Sequence, residues 1–217
     1  RLTRVSAVFY ALVGAHFNPE LLAIESEVAL RQARHWNPIT MDAALFARIA
    51  RLREQAATLG LTPEQARLLE RTWTHFHRAG AGLDAAAKER MAAINERLAQ
   101  LATTFSHHLL GDEQAWTLEL GAGDLAGLPG SFVAAARAAA EERGLPGRMV
   151  VTLSRSSVEP FLKDSARRDL REKVFRAFTA RGDNGNANDN SATILDVLRL
   201  REERAGLLGY PSFAASR

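Results

Sequence analysis

Cysteine is absent from the 217 residues, which removes disulfides, thiolate metal sites and cysteine nucleophiles at once. Its absence suits a reducing compartment, and a cytoplasmic location is the expectation. No apolar run approaches the roughly 20 residues a membrane-spanning helix needs, and no signal-peptide pattern opens the chain. A membrane partner is therefore not expected. Lysine is nearly missing: of 28 basic residues, three are lysines (Lys88, Lys163 and Lys173) and the rest are arginines. Arginine stays protonated to very high pH, so a net charge of only +3 carries the pI to about 9.8. The high pI reflects which cation is used rather than a large excess. The arginines are interleaved with acids. Even the densest cluster, Arg167 to Lys173, holds Asp169 and Glu172. It reads as a solvated helix face, not a phosphate-binding stripe, so no nucleic-acid partner is expected.

What is present is ordinary for a globular chain: 47% hydrophobic and 24% charged residues. The length is enough to bury a core without disulfide or metal staples. The first residue is Arg1 rather than Met, so the chain reads as a processed or internal piece of something longer.

Helix signals run from end to end. Asn18-Pro19 offers a cap followed by a first-turn proline, and Thr62-Pro63-Glu64-Gln65 adds the Gln of a capping box. The longest helix is expected from about Asp84 to Leu110, where Met91, Ile94, Leu98, Leu101, Phe105 and Leu109 alternate three and four apart. Ala66, Leu69, Trp73 and Phe76 mark the helix before it, with Gly80 and Gly82 between the two. The alanine runs from Ala134 to Ala140 favour helix, and Gly144 suits a left-handed stop. A further helical pattern runs from Glu159 to Arg181. After the polar stretch Arg181–Asn190, Asp189 or Asn190 is placed to cap a last helix carrying Ile194, Leu198, Arg201, Ala205 and Leu208 on one face. Two segments differ. Residues 116–120 alternate apolar and polar, and residues 148–153 are rich in β-branched side chains. They are expected to pair as a short antiparallel ribbon. The fold class is thus mainly α, a multi-helix array with one ribbon. With no repeat and no proline-rich or serine-rich linker, residues 1–217 read as a single helical unit.

The search for chemistry on the chain is largely negative. The six histidines are His16, His35, His75, His77, His107 and His108, and none is followed by Glu, so no HExxH exists. On a helix His75 and His77 point about 200° apart and His107 and His108 about 100° apart, neither of which chelates one ion. They read as exposed or partly packed. The acid pairs Glu141-Glu142 and Glu202-Glu203 diverge on a helix and face solvent. Ser154-Arg155-Ser156-Ser157 lacks a nucleophile-elbow pattern and reads as helix capping. Gly182-Asp183-Asn184-Gly185 has no preceding strand and no following Gly-Lys pair, which argues against a phosphate loop. Counted as a calcium loop from Asp183, the stretch has Ile194 where a bidentate Glu belongs, so it reads as a helix-capping connector. No catalytic, cofactor-binding or metal-binding residue is assigned on this chain, and any single arginine reads as solvated.

The order of segments adds what spacing does not. RLTRVSAVFYALVGAHFNPEL from Arg1, the run from Phe76 to Leu110, AWTLEL, DLAGLP, RDLREKVFRAF from Arg168, and RGDNGNANDNSATILDVLRLREERAGLLGYPSFA from Arg181 follow one another here. In this order they resemble the thimet oligopeptidase family of zinc metallopeptidases, which includes oligopeptidase A and the peptidyl-dipeptidases (dipeptidyl carboxypeptidases). RGDNGNANDN and RLTRVSAVF look more like the peptidyl-dipeptidase branch. The resemblance implies that the chain is an amino-terminal helical portion of a longer enzyme. In the whole enzyme two His and one Glu would hold zinc, and the Glu of HExxH would activate water for attack on a peptide carbonyl. The site would lie in a channel between two helical lobes that admits short peptides. No zinc ligand or catalytic residue of the family maps onto this chain. Its implied role is lobe scaffold and channel wall, inactive alone, with the rest of the parent polypeptide as partner. An isolated piece is expected to self-associate or to expose apolar surface, chiefly at residues 191–208 and 210–217. The alternative is a stand-alone helical interaction module.

Overall fold

The structure, a computed structural model, describes residues 2–15 and 18–217; Arg1, His16 and Phe17, all in the first resembling segment, lie outside the described residues. Among the described residues there are nine α-helices and one two-stranded sheet. The helices are α1 (Leu2–Ala15), α2 (Pro19–Thr40), α3 (Ala43–Glu54), α4 (Pro63–Ala79), α5 (Ala85–Ala115), α6 (Gly130–Glu142), α7 (Arg155–Asp164), α8 (Arg168–Thr179) and α9 (Ser191–Leu207). The strands are β1 (Thr117–Glu119) and β2 (Val150–Thr152). Contacts divide the chain into two compact units, residues 1–103 with 193–217, and residues 104–192.

In the first unit the helix ends form as their cap chemistry dictates. The Asn18 side chain accepts from the Leu21 N–H at 2.8 Å, and Pro19 opens α2. Thr62 and Gln65 close a reciprocal capping box at the start of α4, and Gly80 ends that helix in the left-handed region (φ +99°). Asp84 caps α5 through the Ala87 N–H. Met91, Ile94 and Leu101 of the expected stripe are buried, while Phe105 stays exposed. An aromatic cluster ties α3 to α4: His77 stacks on Trp73 with centroids 4.7 Å apart, and the Arg53 guanidinium lies 3.7 Å over the same indole.

The second unit has its own core. Leu120, Phe132, Ala136, Val151, Leu153, Val158, Phe161, Leu170 and Val174 pack together from α6, β2, α7, α8 and their flanks. The ribbon is antiparallel, pairing Thr117 with Thr152, Leu118 with Val151 and Glu119 with Val150. It is shorter than residues 116–120 and 148–153, although Leu120 still donates to the Met149 carbonyl. Gly144 adopts positive φ just after α6.

Two expectations are corrected, and the exposed face of α9 is found where exposed apolar surface is expected. The helical stretch from Glu159 to Arg181 is two helices, broken at residues 165–167. The Ala166 N–H leaves the helix ladder to donate to the Ala126 carbonyl, and Ser165, almost fully buried, takes an extended conformation. A tertiary hydrogen bond thus wins over local propensity. The longest helix does not stop at Leu110 but continues to Ala115, past Gly111 and Asp112, residues of low helix propensity. On α9, Thr193 and Ala205 are buried, whereas Ile194, Leu195 and Leu198 face outward. The aliphatic face read from the sequence is therefore the uncovered one for most of its length.

Candidate functional site

The most organised polar cluster on the chain lies in the second unit, where the stretch from Arg181 to Asn190 folds over the last turns of α5. Its centre is Asp112, only 5% exposed. One carboxylate oxygen accepts from the Gly182 backbone N–H at 2.8 Å and from Asn184 Nδ2 at 2.7 Å. The other accepts from Asn186 Nδ2 at 3.2 Å and Asn188 Nδ2 at 2.9 Å. Asparagines recurring at every second position supply three donors. Burial by itself would raise the Asp112 carboxyl. The hydrogen bonds from Gly182, Asn188, Asn186 and Asn184 overcome that and lower it to about 2.

Two glycines make the approach possible. A Cβ at Gly111 would stand 2.8 Å from the Asn188 amide. A Cβ at Gly182, where φ is +73°, would meet Asn190 Nδ2 at 2.9 Å. Asn190 is almost completely buried and closes the loop. Its N–H donates to the Gly182 carbonyl at 2.7 Å, and its Nδ2 donates to the Phe105 carbonyl at 3.1 Å. Its Oδ1 therefore faces His108 Nδ1, 2.9 Å away, which makes that ring nitrogen the donor. Asp189 accepts from the Ser191 and Gly185 N–H groups, so of the two proposed caps for α9 it is Asp189 that bonds to the first turn. The bonds from Ser191 and then Gly185 hold the Asp189 carboxyl below its usual range. Arg181 pairs with Glu113 and lies 3.8 Å over the Phe178 ring.

Chemically this cluster is a clasp. A carboxylate that accepts four hydrogen bonds has spent its lone-pair sites. None remains to bind a cation or take a proton from a substrate. Asp112 was not singled out by sequence pattern; the signal that points to it is the alternation of amides at 184, 186, 188 and 190, which calls for a buried acceptor.

The other residues weighed from sequence are scattered. His35 packs edge-on against Trp36 and His75 against Phe76, and His77 stacks on Trp73. Glu141 and Glu142 are exposed. Glu203 meets Arg90 in a two-pronged pair. Ser154 sits at the cap position of α7, but its hydroxyl bonds to Thr152 and Ser156 and caps nothing; Ser157 Oγ instead accepts from the Thr152 N–H. In the basic cluster Arg167 pairs with Asp124 and Asp169, and Arg176 with Glu172. Among the described residues no group of three or more His, Asp or Glu side chains is placed to hold a metal ion, so the donor set does not fit zinc. No helix of the described residues is long and apolar enough to cross a membrane.

Comparison with known proteins supplies the context. Residues 161–217 match the model of peptidase family M3. Dipeptidyl carboxypeptidase of Escherichia coli is 34% identical over 215 residues, 99% of this chain and 32% of that protein. Oligopeptidase A of the same organism is 33% identical over 159 residues, 71% of this chain and 23% of its own length. A probable cytosolic oligopeptidase A of Arabidopsis thaliana is 28% identical over 221 residues, 99% of this chain and 31% of that protein. The chain spans about a third of the length of such relatives. The likeness to dipeptidyl carboxypeptidase is sustained along the chain and the likeness to peptidase family M3 lies over residues 161–217, so the chain is similar to peptidases of this kind.

Proposed function

We propose that the chain is an amino-terminal helical part of a zinc-dependent peptidyl-dipeptidase that removes dipeptides from the carboxyl end of short peptides. The observation that carries this reading is the 34% identity to a dipeptidyl carboxypeptidase over 99% of the chain but only 32% of that protein. Over the same 99% of the chain the identity is 34% to dipeptidyl carboxypeptidase and 28% to the Arabidopsis thaliana oligopeptidase A, which favours the peptidyl-dipeptidase branch. The two units contribute scaffold and channel wall, and bond cleavage belongs to a zinc-bearing part of the parent, since the donor set here does not fit the metal. The clasp around Asp112 fits the scaffold role: it makes a polar loop rigid without leaving a reactive group free. We place the parent in the cytoplasm, with short peptides as substrates and neither nucleic acid nor membrane as partner.

The uncovered apolar faces support the remainder of the parent as partner. On α1, Val5, Val8 and Leu12 are exposed, Val8 at 62%, and on α9, Leu198 is exposed at 54%. Surfaces of this kind on an isolated piece drive self-association. The same faces would serve a stand-alone helical interaction module, the second reading. One experiment separates them: purify the native protein from its source with an antibody to this chain, weigh it, and assay release of carboxyl-terminal dipeptides. A product several times heavier than 23.7 kDa with chelator-sensitive dipeptide release, alongside an inactive 217-residue chain, supports the first reading. A native product near 23.7 kDa without peptidase activity overturns it.

A further inference from the structure

In the first unit, α4 presents Arg67, Arg71 and Arg78 along one side, at offsets of four and seven residues that stay on a single face of a helix. Together with Arg204 of α9 and Arg217 they line a cavity of about 660 Å3, with His75 at its edge. That volume falls within the roughly 300–1,000 Å3 of small-molecule sites. Five arginines thus line one concave surface.

Among the described residues a single acid shares the lining with them. The acid in the lining is Glu70, and it is engaged by Arg53, 2.9 Å away. Among the described residues none of the five arginines forms an ion pair, in contrast to Arg34, Arg90, Arg148, Arg167, Arg176 and Arg181, each of which meets a carboxylate. Arg78 Nε is buried without a hydrogen-bond partner. A buried guanidinium N–H left unpaired is costly. Arg204 Nη2 donates to the Arg78 carbonyl at 3.4 Å, so one cation leans on the backbone of another. Burial, and then the neighbouring Arg217, push the Arg204 guanidinium below its ordinary value. A solvated helix face alternates its charges; this one gathers one sign and buries part of it.

We propose that the cavity is a binding site for a multivalent oxyanion of the phosphate or pyrophosphate class. Guanidinium forks meet such oxygens two at a time, and several negative charges on one small ligand are needed to offset several converging cations. The proposal stands apart from the peptidase reading and does not depend on it.

The test is calorimetric titration of the whole 217-residue chain with sodium pyrophosphate at low ionic strength. One-site saturation is expected. Arg71→Gln and Arg67→Gln, both exposed positions on α4, should each weaken it roughly tenfold, as loss of a charge-assisted hydrogen bond does. Arg31→Gln, on α2 and paired with Glu27 outside the cavity, should leave it unchanged. Far-UV circular dichroism checks that each variant is folded. Absence of a saturable heat, equal losses in Arg71→Gln and Arg31→Gln, or the same response to chloride at matched ionic strength would overturn the proposal. So would a single-stranded oligonucleotide that displaces pyrophosphate at far lower concentration, which would make the face a nucleic-acid surface instead.

Discussion

Asp112 and Gly182 lie 70 positions apart and are joined by a 2.8 Å hydrogen bond from the glycine N–H to the buried carboxylate. Asn184, Asn186 and Asn188 then fill the remaining acceptor sites of the same side chain. Replacing Asp112 by Asn keeps the shape but turns one acceptor oxygen into a donor facing donors. We expect Asp112→Asn to lower unfolding free energy by roughly 3 kcal/mol, since buried donors are left unpaired. Urea denaturation measures the loss, and hydrogen exchange at the Gly182 amide should rise with it. An unchanged midpoint would mean the clasp is ornamental.

The same carboxylate sets an acid limit. Its value in the folded chain is about 2, below the ordinary 3.8. A depressed folded value means the contribution is fully present above about pH 4 and is lost as pH falls towards 2. The shift corresponds to roughly 2 kcal/mol. Stability measured between pH 5 and pH 2 should fall, and Asp112→Asn should flatten part of that fall. Parallel curves for the two proteins would refute the assignment.

Gly111→Ala sets two principles against each other. Alanine in a helix interior is favoured over glycine by about 1 kcal/mol, yet a Cβ here would stand 2.8 Å from the Asn188 amide. We expect net destabilisation, because Asn188 has to leave Asp112 to make room. In the background of Asn188→Ala the same change should become stabilising. A double-mutant cycle reads the coupling; additive effects would show that the loop simply shifts aside.

Phe161 is fully buried in the core of the second unit, its ring 5.9 Å from that of Phe132. Phe161→Ala should cost about 4 kcal/mol. Leu198→Gln, at a face left open on α9, should move stability by no more than about 0.5 kcal/mol. It should nevertheless shift the chain towards monomer in sedimentation velocity, if that face drives association. Two equal stability losses would mean that α9 is covered after all.

The helix class, the caps at Asn18 and Thr62, the stop at Gly80 and the pairing of the two strand segments were legible in the sequence. Each rests on periodicity or on groups three or four residues apart. The break after Asp164 was not legible, because the competitor for the Ala166 N–H is the Ala126 carbonyl, 40 positions earlier. The run of asparagines was visible, but as a connector. Its purpose depends on a carboxylate more than 70 residues away.

What the sequence determined by itself is what short-range physics and likeness to relatives decide: a mainly helical pattern, a ribbon, and similarity to peptidases of family M3. Tertiary structure alone decided which atoms meet. Arg67, Arg71 and Arg78 are each an unremarkable surface cation in the sequence. Only folding sets Arg204 and Arg217 beside them and buries Arg78 Nε. Likewise, a strongly apolar stripe on α9 faces outward because the helix packs on Thr193 and Ala205. Local pattern fixes which side chains share a face, and long-range packing chooses what that face meets.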